Sequence, residues 1–208
     1  VWKHIRELKL HNNTFSQFPH VVCEMPTLLK LDLSHNQIGT IPDTVRGLSQ
    51  MVQFDISHNR LSSVPQGIGG CTALTELDLC FNRLTTLPPG IGTLDKLMKL
   101  NLINNALAKL PASVGSLESL TELSLRDNQL AILPASLNML KNVQSIALSD
   151  NRLFELPPLV EDLTTLQVLT LSKNALQFLP VKIGNFKHLR QLVVSNNQLK
   201  EIPASIGN

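Results

Sequence analysis

The strongest constraint on the fold of this chain is a repeat of 23 residues that runs along almost its whole length. Each unit begins with an apolar residue, and two more follow three and five positions later, as in Leu74, Leu77 and Leu79. Every unit also has an asparagine at its ninth position and a proline at its fifteenth. The nine units begin at Ile5, Leu28, Met51, Leu74, Leu97, Leu120, Val143, Leu166 and Leu189. Such units cannot bury an apolar face alone, so the fixed period predicts that they stack into a solenoid.

Apolar and polar residues alternate over a short stretch of each unit, for example residues 76–80 of the fourth unit. This alternation predicts a strand that points its leucines inward and its other residues outward. We expect the strands of successive units to stack in parallel. The asparagine amide is expected to satisfy backbone groups in the buried turn after each strand, and the proline suits an irregular convex connection.

The repeated pattern LxxLxLxxNxLxxLPxxIGxL resembles the 23-residue intracellular leucine-rich repeat of the Ras group. Repeats of that group occur in Ras and MAP-kinase scaffolds, in cell-polarity scaffolds, in fungal adenylyl cyclases and in Roco kinases. The resemblance covers residues 5–208. It implies an α/β repeat solenoid, a horseshoe with a parallel concave β-sheet and irregular or 3-10 convex segments.

No linker or change of composition interrupts the repeats, so we expect one leucine-rich repeat domain over residues 1–208. Because the chain begins without Met and stops within the pattern, we expect it to be a fragment of a larger protein. The pattern departs from the resemblance at Cys71, which replaces a leucine, and at Asn138 and Glu161, which replace glycine. Trp2 is the candidate to cover the first unit.

Composition and cysteine usage narrow the function classes. With 16% charged residues, a net charge of +2 and scattered basic residues, the chain does not have the pattern of a nucleic-acid binder. No apolar run is long enough for a transmembrane helix. The odd number of three cysteines has no disulfide or metal spacing, which indicates a reducing compartment and a cytoplasmic protein. One glycosylation triplet at residues 12–14 points the other way.

Motifs for catalysis are absent from the sequence, which has no G-x-S-x-G elbow, P-loop, H-E-x-x-H or dinucleotide fingerprint. Cys80 and His58 have the side chains of a nucleophile and a base, but an open sheet encloses no substrate. His35 and His58 lie beside carboxylates without the closed geometry of a metal site. We therefore expect no enzyme, cofactor, metal or small-molecule substrate. The histidines are interpreted as partner contacts whose charge depends on pH.

Apolar side chains interrupt the polar pattern at the ends of the fourth and fifth strands. Cys80 and Phe81 stand where other units have small or polar pairs, and Ile103 follows one unit later. Pointing outward, these side chains would form an exposed apolar centre in the middle of the concave face, as in a protein-binding hot spot. The expected polar rim consists of Asp78, Arg83, Asn101 and Arg126. The alternative is that Phe81 folds back onto the edge of its own unit.

Three carboxylates, Asp32, Asp55 and Asp78, fall at the same position of consecutive strands. In one interpretation they only solvate the sheet face. In the other they form an acidic strip, with His58 beside it, that receives basic residues of a partner. The basic residues expected to balance them are Lys9, Lys30, Arg60 and Arg83.

The resemblance and these surface features together predict a protein-interaction module. We expect it to bind a signalling protein, such as a small GTPase, a phosphatase subunit or a kinase, on its concave face within an intracellular scaffold. The alternative is the recognition domain of an immune-type receptor or of a pathogen-secreted effector that binds a host protein. The candidate contact residues are Asp32, Asp55, His58, Asp78, Cys80, Phe81, Arg83, Asn101, Ile103 and Arg126.

Overall fold

Strands form where each unit has one inward leucine, or a comparable apolar residue, between two outward residues. The computed structural model describes residues 4–157 and 163–207. The nine strands are β1 (Glu7–Lys9), β2 (Lys30–Asp32), β3 (Gln53–Asp55), β4 (Glu76–Asp78), β5 (Lys99–Asn101), β6 (Glu122–Ser124), β7 (Ser145–Ala147), β8 (Val168–Thr170) and β9 (Gln191–Val193). They pair in parallel and in chain order. Leu77 lies opposite Phe54 and Leu100, so the sheet register equals the sequence period and the predicted horseshoe is confirmed.

The strands are shorter than the alternation predicted. Strand β4, for example, ends at Asp78 rather than at Cys80. The eighth residue of every unit has a positive φ between 51° and 57°, the left-handed conformation. The residues in this row are Asn12, His35, His58, Phe81, Asn104, Asp127, Asp150, Lys173 and Asn196. Asparagine and aspartate tolerate this conformation better than a bulky side chain does. The backbone turns at Phe81, although the N–H of Phe81 still donates to the Ile103 carbonyl of the next unit.

The asparagine at position nine joins neighbouring units. The Asn82 side-chain amide donates hydrogen bonds to the carbonyl oxygens of Leu79 in its own unit and Ile56 in an earlier one, both at 3.1 Å. Its Oδ1 accepts the Leu61 N–H at 2.9 Å. Equivalent bonds recur along the solenoid, for example at Asn128. The predicted asparagine ladder is thus confirmed, and it satisfies backbone groups that the apolar core would otherwise leave unpaired.

Short 3-10 helices cover the convex side and begin directly after the repeated proline in most units. The helices in the described residues are His20–Glu24, Asp43–Gly47, Gln66–Gly70, Pro89–Thr93, Ala112–Ser116, Ala135–Met139, Ile183–Asn185 and Ala204–Gly207. Behind them Ile91 and Leu94 are fully buried, so these segments close the back of the core. The expectations for Trp2 and Glu161 fall outside the described residues.

Candidate functional site

The concave face is a hollow of about 550 Å³ lined by strands β1 to β6. Its outward side chains come from the first and third residue of each strand. The first residues form a row of mostly alternating charge, which was not among the predicted contact residues: Glu7, Lys30, Gln53, Glu76, Lys99 and Glu122. Lys99 Nζ lies 3.5 Å from Glu122 Oε1, and Gln53 donates a hydrogen bond to Glu76 at 3.0 Å. This row therefore largely neutralises itself.

The aspartates Asp32, Asp55 and Asp78 lie directly beside one another in the sheet, as predicted. Each carboxylate also accepts the backbone N–H two residues later, at 3.0, 2.9 and 2.9 Å respectively. Asn101 accepts the Ile103 N–H in the same way at 3.2 Å. These bonds hold the start of the turn, which gives the aspartates a role within the repeat whether or not they meet a partner.

The predicted balancing of this strip by basic residues is wrong for Lys9, whose Nζ pairs with Glu7 at 3.0 Å. His11 Nδ1 lies 2.9 Å from Asp32 Oδ2, and Asn101 donates to Asp78 at 2.9 Å. In the described part of the chain no ion pair joins a lysine or arginine to any of the three aspartates. A lysine held by its own strand neighbour cannot also reach the strip.

His11 pairs with Asp32 and Asn101 bonds to Asp78, so the middle carboxylate, Asp55, is in the least favourable electrostatic position. Burial raises the pKa of Asp32, but hydrogen bonds from Ser34 and the charge of His11 outweigh burial and leave the pKa below its usual value. Burial holds the pKa of Asp55 above its usual value against the hydrogen bonds from Ser57, and the charges of Asp78 and Asp32 add to this rise. Negative charge on the strip is therefore costly mainly at Asp55.

Cys80 is not the exposed contact residue that the sequence predicted. Only 7% of it is accessible, and Ser34 and Ser57 at the same position of earlier units are buried too. The Cys80 thiol lies against the side chains of Asp78 and Ser57, with which it forms hydrogen bonds, instead of pointing to solvent. Burial, reinforced by the Asp78 carboxylate, raises the pKa of the Cys80 thiol to about 12. At neutral pH the thiol is protonated, which removes it as a nucleophile.

Phe81 is 43% exposed and belongs to a stack of three rings. Its ring centroid lies 4.2 Å from that of His58, with 10° between the planes, and His58 lies 4.1 Å from His35 at 11°. Phe81 thus packs on the preceding unit rather than on its own. Its backbone N–H donates to the carbonyl of half-buried Ile103 at 2.8 Å. We call His35, His58 and Phe81 the ring stack.

Some residues of the predicted polar rim are bonded to other residues of the chain, and others are free to contact a partner. Asp78 and Asn101 bond to each other. Arg126 Nε lies 3.2 Å from Asp150 and 3.5 Å from Asp127, within an ion-pair network that also includes Lys173. Arg83 is exposed, and within the described residues it forms no ion pair. Of the rim residues, Arg83 has the charge least committed within the chain.

An exposed apolar strip that was not predicted from the sequence lies on units six to eight. Ile132, Phe154 and Phe178 are each about half exposed, and they occupy positions twelve and thirteen of their units. The equivalent positions of units three and four hold only serine and threonine. The change from serine and threonine to apolar residues at these two positions is visible in the sequence. The strip is a second candidate binding surface, which a test of partner binding must include.

Two further classes of site find no support in the described residues. There is no group of three or more histidine, cysteine, aspartate or glutamate side chains positioned to hold a metal ion. The described helices are too short and too polar for any of them to cross a membrane.

Comparison with known proteins places these features among relatives. The family model described as Leucine rich repeat matches residues 3–61, 72–130 and 141–199. A leucine-rich repeat protein of Leptospira interrogans is similar in structure, with 34% identity, a TM-score of 0.92 and coverage of 98% of this chain and 52% of that one. The chain thus spans about half the length of that protein.

Plant receptors are similar as well. The plant peptide hormone receptor RGFR1, solved in complex with RGF2, has 26% identity and a TM-score of 0.86, and the match covers 98% of this chain and 34% of the receptor. The ectodomain of the Arabidopsis thaliana receptor kinase GASSHO1/SCHENGEN3, in complex with CASPARIAN STRIP INTEGRITY FACTOR 2, has 27% identity, a TM-score of 0.82 and coverage of 98% and 29%. A comparison with curated proteins finds no match.

Proposed function

Because the chain belongs to the leucine-rich repeat family, we propose that it is a protein-interaction module that binds its partner at the concave face and the adjoining ring stack. The observation that carries the proposal is the half-exposed ring of Phe81, held in a left-handed backbone conformation beside Ile103. An aromatic side chain fixed in this way offers apolar contact area with little entropy left to lose on binding.

The proposed contact surface keeps the candidates from the sequence except buried Cys80. It consists of Asp32, Asp55, His58, Asp78, Phe81, Arg83, Asn101, Ile103 and Arg126. Phe81 and Ile103 form the apolar part, and the remaining residues form a polar border that excludes water from it. We propose that the chain acts by binding alone, without catalysis.

We place this module in the cytoplasm, within a signalling scaffold that holds a small GTPase, a phosphatase subunit or a kinase. The Ras-group resemblance of the repeat supports this proposal, as do the three cysteines, which are all free. The alternative, a receptor or secreted effector, is favoured by the similarity to plant receptors. Mass spectrometry of the unreduced protein from its native source distinguishes them, since an intramolecular disulfide would argue against the cytoplasm.

The binding surface is tested by a double substitution that follows the repeat's own preferences. Phe81→Asn introduces the residue that Asn104 places at this position, and Ile103→Ser introduces the serine found at Ser57. Loss of one ring contact is expected to reduce the free energy of unfolding by less than about 1.5 kcal/mol. Binding of the native partner, obtained by pull-down and purified, should weaken by about 2 kcal/mol or more in calorimetry, as in hot-spot truncations.

The matched control is Ser172→Ala with Ser195→Ala, which removes a hydroxyl pair 2.8 Å apart on later units. We expect it to change neither stability nor binding appreciably. A second comparison, Phe154→Ser with Phe178→Ser, tests the exposed apolar strip. The proposal is wrong if the ring-stack variant binds normally, and loss of binding in the strip variant would then assign the partner to the strip.

A further inference from the structure

Two arginines follow the ring stack, and neither has an anionic partner among the residues that the structure describes. Arg60 and Arg83 occupy the tenth position of consecutive units, and both are exposed. Within the described residues neither forms an ion pair, whereas Lys9, Arg46, Lys99, Arg126 and Lys173 all do. Their charges are therefore not neutralised by the neighbouring structure.

Backbone hydrogen bonds between units fix the positions of the Arg60 and Arg83 main chains. The Arg83 N–H donates to the Leu61 carbonyl at 2.8 Å, and the Arg60 N–H donates to the Ile38 carbonyl at 2.9 Å. The two side chains thus start from adjacent units, spaced roughly as neighbouring strands are, at about 4.8 Å. Arg60 lies two residues after His58, and Arg83 lies two residues after Phe81. The turns of units three and four thus each carry one arginine and one ring.

The nearest row of carboxylates does not remove this positive charge. Asp55 accepts the Ser57 N–H, and Asp78 accepts both the Cys80 N–H and the Asn101 amide. These aspartates lie at the strand ends, five residues before the arginines of their units. On the turns themselves, positions eight to ten of units two to four contain no aspartate or glutamate.

Resting on the function proposed above, we infer that the ring stack together with Arg60 and Arg83 binds an acidic peptide segment of the partner protein. A guanidinium group pairs with a carboxylate through two parallel hydrogen bonds, so two arginines side by side fit two acidic side chains. The exposed part of Phe81 takes an apolar side chain of the same segment. This combination of a buried apolar contact with arginine pairs is typical of the residues that dominate binding energy.

The test uses a defined probe and the intact chain. The probe is a short fluorescein-labelled peptide of alternating glutamate and leucine with blocked ends, and the two comparison peptides replace glutamate with glutamine or lysine. In fluorescence anisotropy at low ionic strength, the glutamate peptide should bind at least about tenfold more tightly than either comparison peptide. Added salt should weaken it, because exposed charges are screened.

Arg60→Gln with Arg83→Gln should weaken the glutamate peptide by about tenfold or more, and Phe81→Asn should weaken it to a smaller extent. The matched control is Arg152→Gln, at the tenth position of unit seven, where the eighth residue is Asp150 instead of a ring. This control should leave binding unchanged. Circular dichroism of each variant confirms that the fold is intact before binding is compared.

Three results would overturn the inference. One is the absence of binding of the glutamate peptide, and another is an equal loss in the Arg152→Gln control. The third is preference for the lysine peptide that disappears in Asp55→Asn with Asp78→Asn, which would assign the acidic strip as the site. That last result would contradict the inference but not the proposed function. The proposed function is contradicted when Phe81→Asn with Ile103→Ser does not weaken binding of the native partner.

Discussion

At the scale of single residues, the left-handed position eight decides which side chains a partner can reach. None of the nine side chains at this position is buried. Just before it, the small residues of units two to four are buried, whereas the larger Ile103 and Arg126 of the next two units are not. Besides Phe81, position eight displays histidine, asparagine, aspartate and lysine. A single backbone conformation thus presents nine side chains of five types in a row, and their identity can vary without changing the fold.

A first prediction concerns the middle aspartate of the acidic strip. The pKa of Asp55 is raised in the fold, so its contribution to stability is fully present below the unfolded pKa and is lost as pH rises through the folded pKa. Asp55→Asn should therefore increase the free energy of unfolding at pH 7, by up to about 1 kcal/mol. The amide keeps the turn hydrogen bond, as Asn101 does. Urea denaturation at pH 7 and near pH 3 measures the gain, which should vanish at the lower pH.

Asp32→Asn is the matched control and should have the opposite sign. The pKa of Asp32 is lowered in the fold, so it stabilises the protein above its unfolded pKa and stops doing so as pH falls through the folded value. The variant should lose stability at pH 7 and differ little from the native chain in strong acid. If both variants shift in the same direction, the assignment of the strain to Asp55 is wrong.

The asparagine ladder gives a second prediction. Asn105 donates to the carbonyls of Leu79 and Leu102 and accepts the Leu84 N–H at 2.9 Å. Asn105→Ala leaves the Leu84 N–H without a partner, whereas the carbonyls of Leu79 and Leu102 keep the amides of Asn82 and Asn128, and the lost donor contact should destabilise the protein by about 1 to 3 kcal/mol. Asn13→Ala is the control at the same position of the first unit, because in the described residues Asn13 bonds only to carbonyls of its own unit. Equal denaturation midpoints for the native chain and Asn105→Ala would remove the ladder from the account of stability.

At the scale of elements, the convex 3-10 helices pack closely enough to require glycine at chosen places. A Cβ on Gly92 would collide with the Ser113 carbonyl oxygen and would lie 2.7 Å from the Ser113 Cβ. Gly92 belongs to the helix Pro89–Thr93, and Ser113 belongs to the next helix, Ala112–Ser116. The repeated glycine of the pattern thus sets the spacing between successive units on this side.

A third prediction follows from this contact. Gly92→Ala must push the two helices apart and should destabilise the protein by about 1 to 3 kcal/mol, as overpacking does. Gly39→Ala is the control, since nothing lies within 4 Å of a Cβ there and its φ is not positive. The control should be neutral or should stabilise by about 0.4 to 1 kcal/mol. Thermal denaturation followed by circular dichroism compares them, and an unaffected Gly92→Ala melting temperature would contradict the close packing.

The strand register could be predicted from the sequence because a fixed period leaves no other alignment of the units. The end of each strand could not, because apolar alternation continues through Leu79 while the backbone turns at Phe81. No glycine marks that turn, so the usual sequence signal for a left-handed residue was missing. What the sequence did contain was a row of mainly asparagine, aspartate and histidine, residues that tolerate this conformation.

At the scale of the whole molecule, the period predicts which side chains are neighbours but not how they face one another. His35 and His58 were expected to be adjacent, yet their parallel stacking with Phe81 depends on the shared turn conformation. The charge balance was mispredicted for a similar reason, because Lys9 has a nearer partner in Glu7.

The last prediction concerns how stability is distributed along the solenoid. The Met98 N–H donates to the Thr75 carbonyl at 2.8 Å, and the Arg190 N–H donates to the Gln167 carbonyl at the same distance. These bonds occupy the same position of units five and nine. Their surroundings differ, because Leu100 and Leu107 are essentially fully buried, whereas Leu192 and Leu199 are only partly so.

In a stack where each unit contacts only its neighbours, a unit whose leucines are partly exposed opens more easily than one whose leucines are fully buried. Hydrogen exchange followed by NMR should therefore show Met98 at least about tenfold more protected than Arg190, a difference of about 1.4 kcal/mol in opening free energy. If the hydrogen bond alone set the rate, the two amides would exchange equally. Equal rates would mean that all units open together, and the chain would then have to be treated as one cooperative block instead of a series of coupled repeats.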